Sequence, residues 1–190
     1  MYNNKSLGYK LLLVHILSSI IVGILFRFWK YSKSESSKKS VTFMSNNSLI
    51  KLSNLGEILT DAIKTSISSL LLICGFIVIF SIIVSMLEQT NIFDIFTNLF
   101  SLLNIPPDAS KSILTGIIEM TNGINLSSKI SSDFSVLSIM ITSFLLGFGG
   151  LSIMMQIYSI ISKESISIKP YFYGKVLQGL LSSIIILFLI

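Results

Sequence analysis

The sequence predicts an all-α integral membrane protein with about four transmembrane helices, one of them interrupted by glycines, together with a re-entrant helical hairpin and an interfacial helix. Three observations lead there. Hydrophobic residues make up 52% of the 190 residues and charged residues only 12%, and the mean hydropathy of +0.81 exceeds what a water-soluble domain of this size carries. Apolar runs of membrane-spanning length recur along the chain. Two of these runs are broken, at Thr121-Asn122-Gly123 and at Gly147-Phe148-Gly149-Gly150.

The first span is Leu11 to Phe28, within a segment 1–30, and Arg27, Trp29, Lys30 and Tyr31 close it with interfacial anchors. A cleavable signal peptide is the competing reading, but no small-residue cleavage site follows. Residues 31–62 read as a solvated linker: the serine- and lysine-rich SKSESSKKS stretch cannot bury a core. Thr65 to Met86 is the clearest span, about 33 Å of helix against a hydrocarbon core of about 30 Å. From Asn91 to Leu103 the polar residues Asp94, Thr97, Asn98 and Ser101 fall at helical spacing among phenylalanines and leucines. This pattern marks an interfacial helix that Thr90 or Asn91 can cap. Pro106-Pro107 stops it, and Asp108 is placed to cap the next helix.

Charge fixes the count of crossings. Arg27, Lys30, Lys33, Lys38, Lys39 and Lys51 put the first loop in the cytoplasm, and Lys163, Lys169 and Lys175 mark a second basic loop on the same side. An odd number of crossings must therefore separate them, although two apolar segments lie between. The first, 109–135, is short and turns polar after Gly123 (INLSSKISSDFS), so it reads as a hairpin that dips in and returns. The second, 136–161, crosses as a broken helix, and the last span is 171–190. Lys5 and Lys10 fall outside in this arrangement, against the charge rule.

Twelve residues from Ala109 to Met120 and eleven from Val136 to Leu146 carry both breaks about 16–18 Å into the membrane. Glycine at Gly123, Gly149 and Gly150 allows backbone conformations that free N–H and C=O groups. Broken helices of secondary transporters use such ends to hold anionic solutes and coupling cations. The half-helix N-termini are expected near Asn122 and Ser152. Glu119 is the sole carboxylate near the tip, in a place that costs an ionisable group about 2.5–3.5 kcal/mol without partners. It is suited to a cation, a proton or a polar solute; its bland alternative is a helix-terminal glutamate facing water. Thr121 and Asn122 offer hydrogen bonds, though Asn-Gly is also a common turn. Ser152 and Gln156 lie one turn apart on one face, with helix packing as the alternative role. Met154 and Met155 read as core, and His15 as a hydrogen-bonded interhelical residue.

One cysteine (Cys74) and one histidine exclude a disulfide and a Cys/His metal cluster. No cofactor is expected beyond a coupling proton or Na+. No catalytic constellation is present, so the chain does not read as an enzyme. The net charge of +5 sits in membrane-flanking loops and gives no footprint for nucleic acid.

The motifs GIIEMTNGINLSS (116–128) and LLGFGGLSIMMQIYSIISKESISIKPYFYGKVLQGLLSS (145–183) resemble the C-terminal half of the YlbJ-type sporulation integral membrane proteins, of the nucleoside-recognition or Gate domain group. The likeness runs from the GILFRF end of the first span onward. It implies that 63–190 form a Gate-like membrane domain laid out like half of a concentrative nucleoside transporter, in a bacterial membrane surrounding the forespore. It also implies a solute such as dipicolinate, a small aromatic dicarboxylate; the residues themselves indicate only a polar, anionic solute. Such proteins carry a preceding homologous half. The expected partners are therefore the lipid bilayer, the solute and a second half supplied by another chain or a second copy. The leading expectation is transport by alternating access. The alternatives are a non-transporting scaffold for spore assembly and a nucleoside transporter-like protein.

Overall fold

The computed structural model describes residues 5–27, 55–130, 135–162 and 167–190. Among them the chain is helical, with no strand. The anchors Trp29, Lys30 and Tyr31, the linker up to residue 54, Asp133, and the loop charges Lys163 and Glu164 lie outside the described residues. Four helical stretches are long and apolar enough to cross a membrane: 5–26, 55–89, the interrupted 135–161, and 169–187. The all-α membrane fold class expected from the sequence is the one observed.

Helix α1 (Lys5–Phe26) begins six residues before the expected span. Its buried stripe of Leu7, Leu11, Val14, Ser18 and Val22 repeats at three- and four-residue intervals, the spacing of one helix face. The other faces are apolar and exposed, as lipid contact requires. Helix α2 (Leu55–Gln89) runs 35 residues, about 52 Å. Residues 55–62, expected as linker, are therefore its exposed first two turns. The hydroxyls of Thr60, Ser66 and Ser69 return to the carbonyl four residues earlier, so they present no free polar group.

The short helix α3 (Ile92–Ser101) has a strongly two-sided pattern that buries Phe93 and leaves Phe96 and Leu99 outward. Asn91 occupies its N-cap position in a left-handed conformation, but its side chain makes no capping bond. Helix α4 (Pro107–Ile118) starts two residues earlier than an Asp108 cap would allow. Pro107 takes the first helical position, where its missing N–H costs nothing and its fixed φ already suits the helix, and Pro106 is the cap residue.

Helix α5 (Met120–Ser127) folds back on α4. Helices α6 (Ser135–Phe148) and α7 (Gly150–Ile161) are the halves of the broken span, and α8 (Lys169–Leu187) closes the described chain. Antiparallel packing of α1, α6 and α8 forms one sector. Leu7, Leu11 and Val14 meet Ile186, Ser18 meets Ser182, and Ser143 donates to the Ser182 carbonyl. The cytoplasmic ends expected from charge, Arg27 and Lys169, accordingly lie at one end of the molecule. Lys10 lies at the other and donates to the Leu189 carbonyl at 2.6 Å.

Small residues bring these helices close. A Cβ on Gly147 would lie 2.7 Å from Ser182 Oγ and 2.8 Å from Gly179 Cα. Where lipid is as apolar as the helices, such backbone approach and interhelical hydroxyl bonds supply the association that water-driven burial supplies elsewhere.

Candidate functional site

Helices α4 and α5 form an antiparallel hairpin. Its turn falls at Glu119 (φ −135°, ψ 110°), not at Thr121-Asn122-Gly123, which lie in the first turn of α5. The Asn-Gly pair in the sequence predicts a flexible point at Gly123. The structure makes it a packing glycine instead: a Cβ there would run into Gly116 Cα and lie 2.9 Å from the Ser112 carbonyl oxygen. Ser112 Oγ donates to the Gly123 carbonyl at 2.9 Å across the same contact.

At the turn the Glu119 side chain caps α5. Oε1 accepts the Thr121 N–H at 3.1 Å and Oε2 accepts the Asn122 N–H at 2.8 Å. An extended residue followed by a helix start places the carboxylate against two otherwise unsatisfied N–H groups and the positive end of the helix. Only 3% of Glu119 is exposed, so it is not a glutamate facing water. Thr121 contributes its N–H while the residue itself is exposed. Asn122 reaches outward to α2, its Nδ2 donating to Ser81 Oγ at 3.0 Å.

The second break falls at Gly149 (φ 87°) and Gly150 (φ 77°), left-handed conformations that strain any residue with a Cβ. Gly147, included in the expected break, is helical. Helix α7 starts at Gly150, two residues before Ser152, and Gly149 offers no side-chain cap. Its first N–H groups consequently lack the partner that Glu119 gives α5. Ser152 and Gln156 do share a face: both are buried, with Gln156 Nε2 at 3.4 Å from Ser152 Oγ. Met154 is buried as expected. Met155 is exposed, on the outward face of α7 with Leu151 and Tyr158 at four- and three-residue spacing.

The two breaks meet. A Cβ on Gly150 would lie 3.0 Å from the Gly116 carbonyl oxygen, 3.2 Å from Met120 N and 3.4 Å from the Ile117 carbonyl oxygen. Below this contact the limbs of the hairpin return to the same end of the bundle. Ser127 Oγ lies 2.5 Å from Thr142 Oγ1, and Ser138 Oγ donates to the Ser127 carbonyl. Lys111 pairs with Glu88 near the end of α2 at 3.2 Å.

Two residues at the site were missed by sequence reasoning. The Thr115 hydroxyl, one turn before Glu119, is buried without a hydrogen-bond partner. Lys175, counted with the second basic loop, lies instead within α8. Its Nζ donates to the Gly147 carbonyl at 3.3 Å and to Gln178 Oε1 at 3.1 Å. A cation thus sits at the C-terminal end of the broken half-helix α6, where the dipole favours it. The flanking glycines in GKVLQG were the available signal, because a lysine among small residues within an apolar span is not a loop residue. His15, expected to be hydrogen-bonded, has a buried Nδ1 with no partner.

A buried polar hairpin seated on a broken helix, within spans of apolar surface, defines an integral membrane protein whose polar groups converge inside the bundle. The chain is homologous along essentially its whole length to the sporulation integral membrane protein YlbJ of Bacillus subtilis (strain 168). The two are 32% identical over 206 aligned positions covering 99% of this chain and 50% of that protein, so the chain spans about half the length of this relative. No family model and no solved structure matches the chain.

Proposed function

We propose that the chain is one half of a membrane transport protein serving spore formation, with the α4–α5 hairpin re-entrant and its meeting point with the α6–α7 break forming the solute site. The observation that carries this reading is the contact of Gly150 with the C-terminal end of α4 and the start of α5. An unbroken helix would place no chain ends there. Glu119 already satisfies the α5 N-terminus, so an anionic group of the solute falls to the uncapped N–H groups of α7, with the Thr115 hydroxyl as a further donor. Ser152 and Gln156 supply polar contacts beyond the break.

The solute class is a small polar anion such as dipicolinate, moved by alternating access of the hairpin sector against the rest of the protein and not transformed chemically. A second homologous half, on another chain or in a second copy, completes the pathway. This fits the half-length match to the relative. Lys175 Nζ takes the carbonyl that a coupling cation would otherwise use, which favours a proton over Na+ as the coupling ion. The location is a membrane around the forespore. The test is uptake of dipicolinate and nucleosides by the chain reconstituted with its partner half. Solute-dependent protection of a cysteine at Asn122 or Ser152 is expected, and absence of both uptake and binding, with Glu119→Gln silent in cells, overturns the proposal.

One observation favours a second reading. The glycine contacts Gly116–Gly123 and Gly147–Gly179 are as tight as helix packing allows and would equally serve a non-transporting scaffold for spore assembly. Aqueous thiol labelling of the same two cysteines, in a Cys74→Ala background, separates them: labelling supports transport and full protection supports the scaffold.

A further inference from the structure

Helices α2 and α5 run in the same direction from the hairpin tip to one end of the bundle. The bond of Asn122 to Ser81 joins them at the tip, and the pair of Lys111 with Glu88 ties α4 to α2 at that end. Ser81 lies seven residues before Glu88, about 10 Å along the helix, within a stretch apolar enough to cross a membrane. The first turn of α5 is thus held at hydrocarbon depth by its partner on α2. Counted outward from that bond, Asn125 falls level with Ser85, and Lys129 falls level with Glu88 at the water boundary.

Between these levels the surface is polar and unpaired. Ser81, Ser85 and Gln89 recur every four residues along one face of α2, as Thr121 and Asn125 do on α5. Ser85, Gln89, Thr121 and Asn125 are exposed, and among the described residues their side chains bond to no other group. This sets the face apart from the earlier turns of α2, where the hydroxyls of Thr60, Ser66 and Ser69 return to their own helix. Hydrocarbon offers polar groups no partner, so lipid is a costly neighbour here. The α2 serines lie in a groove of about 400 Å³ with aliphatic flanks at Ile77, Ile82 and Met86. Water would wet those flanks, whereas a packed helix buries them and the polar stripe together.

We propose that a second copy of this chain docks on the α2–α5 face, with α5 of each copy lying along the α2 groove of the other. Hydroxyls and carboxamides both donate and accept, so the same face on another copy satisfies them. Below Lys129 a charged partner would meet no opposite charge. The chain spans about half the length of its relative, which leaves room for one body of its own size. Both copies insert in one orientation because their basic loops are the same. The two-fold axis then stands along the membrane normal, and residues of equal depth meet: Asn125 faces Ser85 of the other copy, and Thr121 faces its Ser81. The inference deepens the proposed function and rests on its placement of the hairpin within the membrane. It assigns the second half to a second copy and names the face that receives it.

The test is made in bacterial membranes with full chains in a Cys74→Ala background, two differently tagged copies carrying Asn125→Cys and Ser85→Cys respectively. Oxidation is expected to yield a disulfide-linked dimer bearing both tags. The control mixture of Ile79→Cys and Ile83→Cys copies, on the opposite, exposed face of α2, is expected to give none above background. Stepwise photobleaching of a labelled chain in the same membranes, without cysteine substitution, is expected to count two copies. A count of one overturns the proposal, as does equal linkage in the two mixtures. Ready labelling of both cysteines by an aqueous maleimide without linkage overturns it in favour of a water-filled path. Linkage of either cysteine to a different protein overturns it in favour of a distinct second half. Solute uptake does not enter the test: a linked dimer without uptake counts against transport alone, and uptake without linkage counts against the dimer alone.

Discussion

Helix α2 and the interrupted α6–α7 span are both apolar enough to cross a membrane and are put to opposite uses. In the most apolar window of α2 only 6% of residues are buried inside the protein, against 61% for the interrupted span. In α2 the hydroxyls of Thr60, Ser66 and Ser69 bond back to their own helix, and Gly56 and Gly75 face open space. In α6 and α7 the polar and small residues point to neighbours: Ser138 and Thr142 to the hairpin, Ser143 and Gly147 to α8, and Gly150 to the tip. Helix α8 is less apolar than the interrupted span and yet only 22% buried, so hydropathy alone does not tell a lipid-facing helix from the centre of a bundle. What separates them is whether the small and polar residues find partners on other elements.

The largest expected effect is Gly123→Leu. Its side chain would have to enter space held by Gly116 backbone, and overpacking against backbone is expected to destabilise by about 3 kcal/mol or more. Gly75→Leu in α2 meets nothing within 4 Å and is expected to stay within about 0.5 kcal/mol of wild type. Denaturation in detergent micelles compares the two, and equal losses would break the distinction between the helices. Next is Gly150→Ala, where a left-handed φ and a 3.0 Å contact with the Gly116 carbonyl combine. About 1–2 kcal/mol is expected from the backbone conformation alone, read in the same assay.

Glu119→Ala removes a cap made of two N–H bonds. A loss of about 1–2 kcal/mol is expected, with Glu119→Gln losing less because one amide oxygen still accepts. Hydrogen exchange at Thr121 and Asn122 should rise in the alanine variant. The smallest loss expected at the site is that of Ser81→Ala, which deletes the α2 bond to Asn122 and is expected to cost about 1 kcal/mol.

Much of this was legible in the sequence because membrane insertion constrains it strongly. The double proline and the glycine cluster each carry a local physical cause and place their elements closely, whereas span length finds α2 but starts it at Thr65 where the helix begins at Leu55. Glu119 and the glycine break were legible as polar or flexible groups at a depth where lipid tolerates neither. The role of Gly123 was not. An Asn-Gly pair has the same appearance in a turn as in a first helical turn pressed on another backbone, and only the partner, Gly116, decides between them. Lys175 was misplaced for a related reason: three lysines near one another read as a loop until α8 puts Lys169 at its first position and Lys175 within it. Tertiary pairing also explains the hydroxyls of Ser127, Thr142, Ser18 and Ser182. Each is unremarkable in its own segment and acquires meaning across 15 or 164 residues of chain.

The seating of the hairpin against the broken helix is tested most directly by a cysteine pair at Ser127 and Thr142 in a Cys74→Ala background, oxidised in native membranes. The two hydroxyl oxygens lie 2.5 Å apart, within reach of a disulfide of about 2.05 Å after small adjustment. Rapid formation of an intrachain bond, seen as joint loss of both thiols and as linked fragments after cleavage between them, is the predicted result. Two thiols that stay reduced under oxidant, and that each react separately with a maleimide, would contradict it.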